Sequence, residues 1–288
     1  MKDQKLDSLI TLLDDPDNSV FQYVSEEILK RDISIVDHLE HICETSLDKL
    51  VQKRIQRIIQ QIQFSDSRKK IKNWANQTEF DLFEGFFLIS QYHYAELKLK
   101  KIQSQLEKIR KDVWLEFRNS LTSLEKVTIL NHIFYDHYRF KVDRDHPDSP
   151  ENCYLNNVLD LHQGNPISIA IVYTLVARSL DLPVHYIDFN QNPLVGYFDR
   201  SVARLAHGKK NGNPVLFYIN PTNKGAIIGP KEIDYIQQTT EFVEKEKLTA
   251  PCPDRIILKR LVEKLALSYE QLGAYEKADS LNEIADIL

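Results

Sequence analysis

A catalytic nucleophile needs a proton acceptor within hydrogen-bond reach and, for acyl transfer, a third group that orients the acceptor. The side chains able to supply such chemistry crowd into one stretch of this 288-residue chain. Cys153 comes first, His162 follows, Ser168 lies in the first turn of the run GNPISIAIVYTLVARSLDLP, and His185 lies beyond it. His162 and His185 are the nearest histidines in sequence to Ser168. A second reading of the same residues is structural, with Ser168 as an N-terminal helix residue and His162 in a surface loop.

Metal chemistry has less support. Asp143, Asp145, His146 and Asp148 sit together in KVDRDHPDSPEN, but the glycine of a calcium loop is missing and the twelfth position is Tyr154 rather than glutamate. His132 and His137 are five residues apart, about 140° round a helix, a poor pair for one ion. Cys43, Cys153 and Cys252 are odd in number and widely separated, which suggests neither a disulfide framework nor a zinc knuckle. No metal site and no cofactor are expected.

The elements that must position these groups follow from periodicity. Residues 1–63 read as successive amphipathic helices: Leu6, Leu9, Ile10 and Leu13, then Val20, Val24, Ile28 and Leu29, then Ile35, Leu39 and Ile42, then Leu47 through Ile62. Asp17 and Asn18 stand where a helix cap belongs. Residues 66–140 continue as helices, with an aromatic-rich core stretch from Phe80 to Tyr92. After the loop at 141–152 the period changes. A helix over 165–180 precedes three short strands, VHYIDF, PLVGYF and PVLFYI, and a short helix at 229–238. Beyond Pro251 and Pro253 come two helices joined at Gly273. The expected fold class is α+β, predominantly helical, with one buried helix against a short antiparallel sheet.

Net charge is −5, hydrophobic content 42% and charged content 27%, values of an ordinary folded chain with no global attraction to nucleic acid or to an anionic membrane. The basic runs at 68–72 and 98–111 interleave with apolar residues at helical spacing, which predicts solvated helix faces and disfavours nucleic acid. The N-terminal residues MKDQKLDS lack the apolar stretch of a secretory signal, and no run approaches the roughly 20 apolar residues that span a bilayer. The expectation is a cytoplasmic protein without a membrane role.

The segment NCYLNNVLDLHQGNPISIAIVYTLVARSLDLPVHYIDF resembles the transglutaminase-like superfamily, in particular its SirB-type branch, over about Asp66 to Gln238. The stretch DDPDNSVFQYVSEEILKR resembles a HEAT-type repeat, and Leu265, Tyr269, Leu272, Gly273, Tyr275 and Ala278 resemble one tetratricopeptide repeat. These likenesses divide the chain into a HEAT-like region (1–65), a SirB-type transglutaminase-like domain (66–240) and a tetratricopeptide-like helix pair (241–288).

Enzymes of that superfamily set a cysteine at a helix N-terminus, a histidine on the next strand and an acid that orients the histidine. The landmarks Gly164, Ala170, Arg178 and Leu182-Pro183 put the cysteine position at Pro166, which has no nucleophile. The histidine position falls on Asn192 of FNQNPLVGYF, and a shift of two either way finds Asn190, Gln191, Pro193 or Leu194, none of them a base near neutral pH. The acid position falls on Asn220 of YINPTN. The resemblance therefore implies a degenerate triad and a non-catalytic binding or scaffold protein, with a regulatory association carried by the branch. Its cleft would be lined by Asn165, Pro166, Ser168, Asn192 and Asn220 and would hold a peptide or protein partner. The alternative is a hydrolase or acyltransferase with a displaced nucleophile at Cys153 or Ser168. Two structural expectations follow: Pro166, Asn192 and Asn220 converge, and the C-terminal pair packs Leu265, Leu272 and Ala278 on the rest of the chain.

Overall fold

A computed structural model describes residues 4–189, 193–207, 213–239 and 248–288, and in it the chain forms two compact units, Met1–Asn73 and Trp74–Leu288. The first unit is helical. It runs through α1 (Gln4–Thr11), α2 (Asn18–Leu29), α3 (Val36–Thr45) and α4 (Lys49–Ala75), whose last two residues belong to the second unit. Asp17 caps α2 by accepting the Ser19 backbone N–H at 2.9 Å. The apolar stripes meet in a core of Leu13, Val24, Ile28, Leu39, Ile55 and Ile58, all fully buried. Among the described residues one charged side chain enters this unit's interior: Arg54 donates from Nη1 to the carbonyls of Leu13 and Asp15 and lies over the Phe21 ring. Its stem packs while its head closes carbonyls left open by the turn after α1.

The second unit opens with α5 (Leu82–His93), α6 (Leu99–Glu116) and α7 (Ser123–Asn131), the last continuing as one π-helical turn, His132–His137. Next come β1 (Lys141–Val142), α8 (Leu155–Leu161), β2 (Gln163–Gly164) and α9 (Pro166–Ser179). Then follow β3 (Val184–Ile187), β4 (Leu194–Phe198), α10 (Arg200–His207), β5 (Val215–Asn220), β6 (Ala226–Ile228) and α11 (Pro230–Thr239). The chain closes with α12 (Asp254–Gln271) and α13 (Tyr275–Ile287). The sheet is antiparallel in the order β3-β4-β5-β6, and a separate parallel pair joins β1 to β2. The α+β expectation holds: the molecule is mostly helical, with a small antiparallel sheet.

Helix α9 is the centre of the second unit. Nine of its fourteen residues are buried, Ser168 through Thr174 in one unbroken run, because α5, α6, α8 and α12 surround it on the sides that the sheet leaves open. A helix apolar on every side is what such enclosure requires. Two polar ties fasten α12 to this core. Arg178 of α9 donates from Nη1 to both carboxylate oxygens of Asp254, at 3.0 and 3.1 Å, and the Tyr154 and Tyr269 hydroxyls meet at 2.9 Å.

The C-terminal pair corrects one expectation. Leu265 and Ala278 are buried, but Leu272 is 67% exposed. Leu272 directly precedes the turn at Gly273, where φ is +73° and the chain reverses, so the side chain swings out of the packed face. Leu281, Ile284 and Leu288 supply the apolar contacts further along.

Candidate functional site

The site is best built from the start of α9. Asn165 stays extended (φ −78°, ψ 169°) and its Oδ1 accepts the Ser168 N–H at 2.9 Å, while Pro166 opens the helix with a ring already set at helical φ. Gly164 precedes them because a Cβ there would overlap the Ser168 hydroxyl and press on Val158. The backbone on each side is zipped: Lys141 N–H donates to His162 O at 3.0 Å and Asp143 N–H to Gly164 O at 2.9 Å. This short parallel ladder carries the loop 143–152 over the helix entrance.

Hydrogen bonds then close the entrance. Asn165 donates its backbone N–H to Asn152 O at 3.2 Å and its side-chain amide to Cys153 Sγ at 2.9 Å. The Ser168 hydroxyl shares its one proton between Asn152 O at 2.7 Å and Asn165 O at 3.0 Å. The Asn152 amide in turn donates to Asp143 Oδ2 and to His146 O. Asp143 also accepts the N–H groups of Asp145 and His146. Burial pushes this carboxyl upward, but the hydrogen bonds from His146, Gln163, Asn152 and Asp145 outweigh it and hold the pKa below the usual carboxylate value. The acid that suggested a cation ligand in the sequence is thus committed to fixing its own loop.

The two candidate nucleophiles are in the wrong state for attack. Cys153 is fully buried, and burial pushes its thiol up to about 12, against the smaller opposing pull of Lys264 and Asn165. A thiolate near neutral pH is therefore strongly disfavoured. Ser168 is also fully buried, with its proton held by carbonyls rather than by a base. Neither histidine bonds to them. His162 ends α8 in the left-handed region (φ 53°), with its ring against Tyr138 and Phe140 and its pKa lowered by burial. His185 meets Phe198 edge-on at 5.1 Å, and burial followed by the charge of Arg178 lowers its pKa.

Asn165, Pro166 and Ser168 are adjacent at the entrance. Asn220 ends β5, and the turn it opens packs against α9. Its Oδ1 accepts Thr222 N at 3.0 Å and the Thr222 hydroxyl at 2.8 Å, closing the turn Pro221–Asn223. That turn is fastened by residues the sequence reading missed: Tyr135 donates to Pro221 O at 3.0 Å, and Asn131 donates to Gly225 O at 2.8 Å while accepting the Tyr173 hydroxyl at 2.7 Å. Asn192 and its neighbours Asn190 and Gln191 lie outside the described residues. Asn152 and Asp143 were equally unmarked as partners of the helix start, since both bonds span a loop whose path periodicity does not give. A separate open groove of about 410 Å³ lies between α5, α6 and α9, lined by Phe83, Leu106, Arg110 and Leu175, and includes none of the candidate residues.

Comparison with known proteins gives two kinds of relative. A family model described as the transglutaminase-like superfamily matches residues 100–263, more than half of the chain. Human F-box only protein 21 is 24% identical over 221 residues, covering 68% of this chain and 33% of that protein, so the chain spans about a third of its length. A UPF0162 protein of Xylella fastidiosa strain Temecula1 is 25% identical over 225 residues, covering 71% of this chain and 72% of the relative. No solved structure matches. The family match runs into α12, which accords with the burial of that helix against α9.

Proposed function

The chain belongs to the transglutaminase-like superfamily, and from that premise we propose that it is a non-catalytic binding or scaffold module of the SirB-type branch, regulatory in role and cytoplasmic. The nucleophile, base and acid positions are read as Pro166, Asn192 and Asn220. One observation carries the reading: at the helix entrance, where the enzymes it resembles set a cysteine, stands Pro166, and in the buried lattice beside it the Cys153 thiol and the Ser168 hydroxyl are both engaged and bonded to no histidine among the described residues. A triad acts as a unit, so losing three members removes nucleophile, proton acceptor and orienting charge together.

The N-terminal unit is read as HEAT-like and the α12–α13 pair as tetratricopeptide-like, both of them architectures that present surface for a peptide or protein partner. The similarity to about a third of human F-box only protein 21 supports a module that is built into larger proteins. Incubating the full chain with a panel of ester and amide substrates and with a thiol-reactive probe tests the reading. The expected result is no turnover, and Pro166→Cys alone stays inactive. Turnover abolished by Ser168→Ala or Cys153→Ala would establish the displaced-nucleophile enzyme instead.

A further inference from the structure

Charge is unevenly distributed in the second half of the chain. From Arg200 to Lys231 there is no aspartate or glutamate, while Arg200, Arg204, Lys209, Lys210, Lys224 and Lys231 carry positive charge, in a protein whose net charge is −5. This acid-free segment contains α10, an eight-residue helix that the sequence reading did not anticipate.

Helix α10 rests on the sheet by one side. Ala203 is buried against β5. Asp199, the acid just before the helix, accepts the Val202 N–H at 3.0 Å and the Ser201 hydroxyl at 2.7 Å and so serves as its cap. Arg200 and Arg204, one turn apart on the same side, are exposed and form no ion pair among the described residues. Leu205 is two residues from Ala203, on the far side of the helix from the sheet, and is 86% exposed. Val202, its neighbour three residues back, is 40% exposed. Single exposed leucines are ordinary. The informative feature is two guanidinium groups without an ion pair among the described residues, together with two uncovered apolar side chains, on one short helix.

We propose that α10 is a docking surface for an acidic segment of a partner protein, with carboxylates seated on Arg200 and Arg204 and an apolar side chain resting on Val202 and Leu205. Guanidinium groups take carboxylates in a two-pronged geometry, which gives register as well as attraction. A nucleic acid fits less well. Its phosphates would satisfy the arginines but leave Leu205 in water, and α10 has no Phe, Tyr or Trp on which a base could stack. A bilayer fits less well again, because the helix is only about 12 Å long and offers two apolar anchors. The surface uses none of the residues at the α9 entrance, so it stands or falls separately from the non-catalytic reading.

Fluorescence anisotropy on the full chain tests the proposal, using as probe a labelled peptide in which glutamate and leucine alternate. The expected result is binding at about 50 mM salt that weakens at about 300 mM. Charge reversal in Arg200→Glu/Arg204→Glu weakens it about tenfold or more, since both charge pairs turn repulsive. Leu205→Ala weakens it about threefold through lost apolar contact. Lys100→Glu, in the basic run of α6, leaves it unchanged. All of these side chains are exposed, and matching thermal unfolding curves confirm that the variants fold; the milder Arg200→Gln/Arg204→Gln replaces the reversal if they do not match. No binding, equal binding by the reversed variant, or tighter α10-dependent binding of oligo-uridylate than of the peptide overturns the proposal.

Discussion

The interior of the N-terminal unit and the hydrogen-bonded lattice at the entrance of α9 are both buried, yet they are held by different forces. In the first, Leu13, Val24, Ile28, Leu39, Ile55 and Ile58 fill space, and the stabilisation scales with apolar area withdrawn from water. In the second, Asn152, Asn165, Ser168 and Asp143 fill space and also exchange hydrogen bonds, each atom depending on a specific neighbour. An aliphatic core tolerates a change of shape at constant volume. A buried polar lattice does not, because a lost partner leaves a desolvated donor or acceptor unmatched.

Substitution at the lattice tests this contrast most severely. Asn165→Leu keeps the volume but removes the cap on Ser168 N–H and the donor to Cys153, and is expected to cost about 4 kcal/mol in thermal or denaturant unfolding. A cost below about 1 kcal/mol would mean that the hydrogen bonds contribute no more than filling. Ser168→Ala deletes one hydroxyl and its bond to Asn152 O, with an expected cost of about 1–2 kcal/mol and no change in binding function. In the N-terminal unit, Ile55→Leu should cost less than about 1.5 kcal/mol by the same measurement. An Ile55→Leu penalty equal to that of Asn165→Leu would erase the distinction between the two regions.

The smallest expected effect is at alkaline pH. Burial raises the Cys153 thiol from 9.0 to about 12, so the folded protein keeps a proton that the unfolded chain gives up. The stabilisation from this group is complete below about pH 9 and is lost as pH rises toward about 12. Cys153→Ala should therefore flatten the alkaline limb of the stability curve. In alkylation with iodoacetamide near pH 8, Cys153 should react only on unfolding, whereas half-buried Cys43 reacts in the folded state. Rapid labelling of Cys153 in the native protein would show that the entrance opens.

Much of the N-terminal unit was legible because its information is local. Leu6, Leu9, Ile10 and Leu13 recur at helical spacing, and the structure buries all four. The α9 run, the strands at 184–187, 194–198 and 215–220, and the helix from 230 were legible for the same reason. Helix α10 was not, since RSVARLAH is too short for periodicity to stand out and its one anchoring residue is an alanine. Strand β6 was missed because three residues, Ala226–Ile228, cannot show an alternation. At the site, Asn165 as cap and Pro166 as first helical residue were readable from their types alone. The partners were not: Asn152 reaches Ser168 across sixteen positions, and Asn131 reaches Gly225 across ninety-four.

Sequence alone determined the helical character of both halves, the single buried helix, and the absence of a nucleophile at Pro166, because periodicity and residue chemistry are properties of the chain itself. Tertiary structure decided what became of Cys153, Ser168 and Asp143. Each is a reactive type that a sequence permits to act, and only the path of the loop 143–152 over the α9 entrance turns all three into buried partners of one hydrogen-bonded lattice. The reason is physical: reactivity depends on solvation and on which group lies within about 3 Å, and neither is set until distant segments meet.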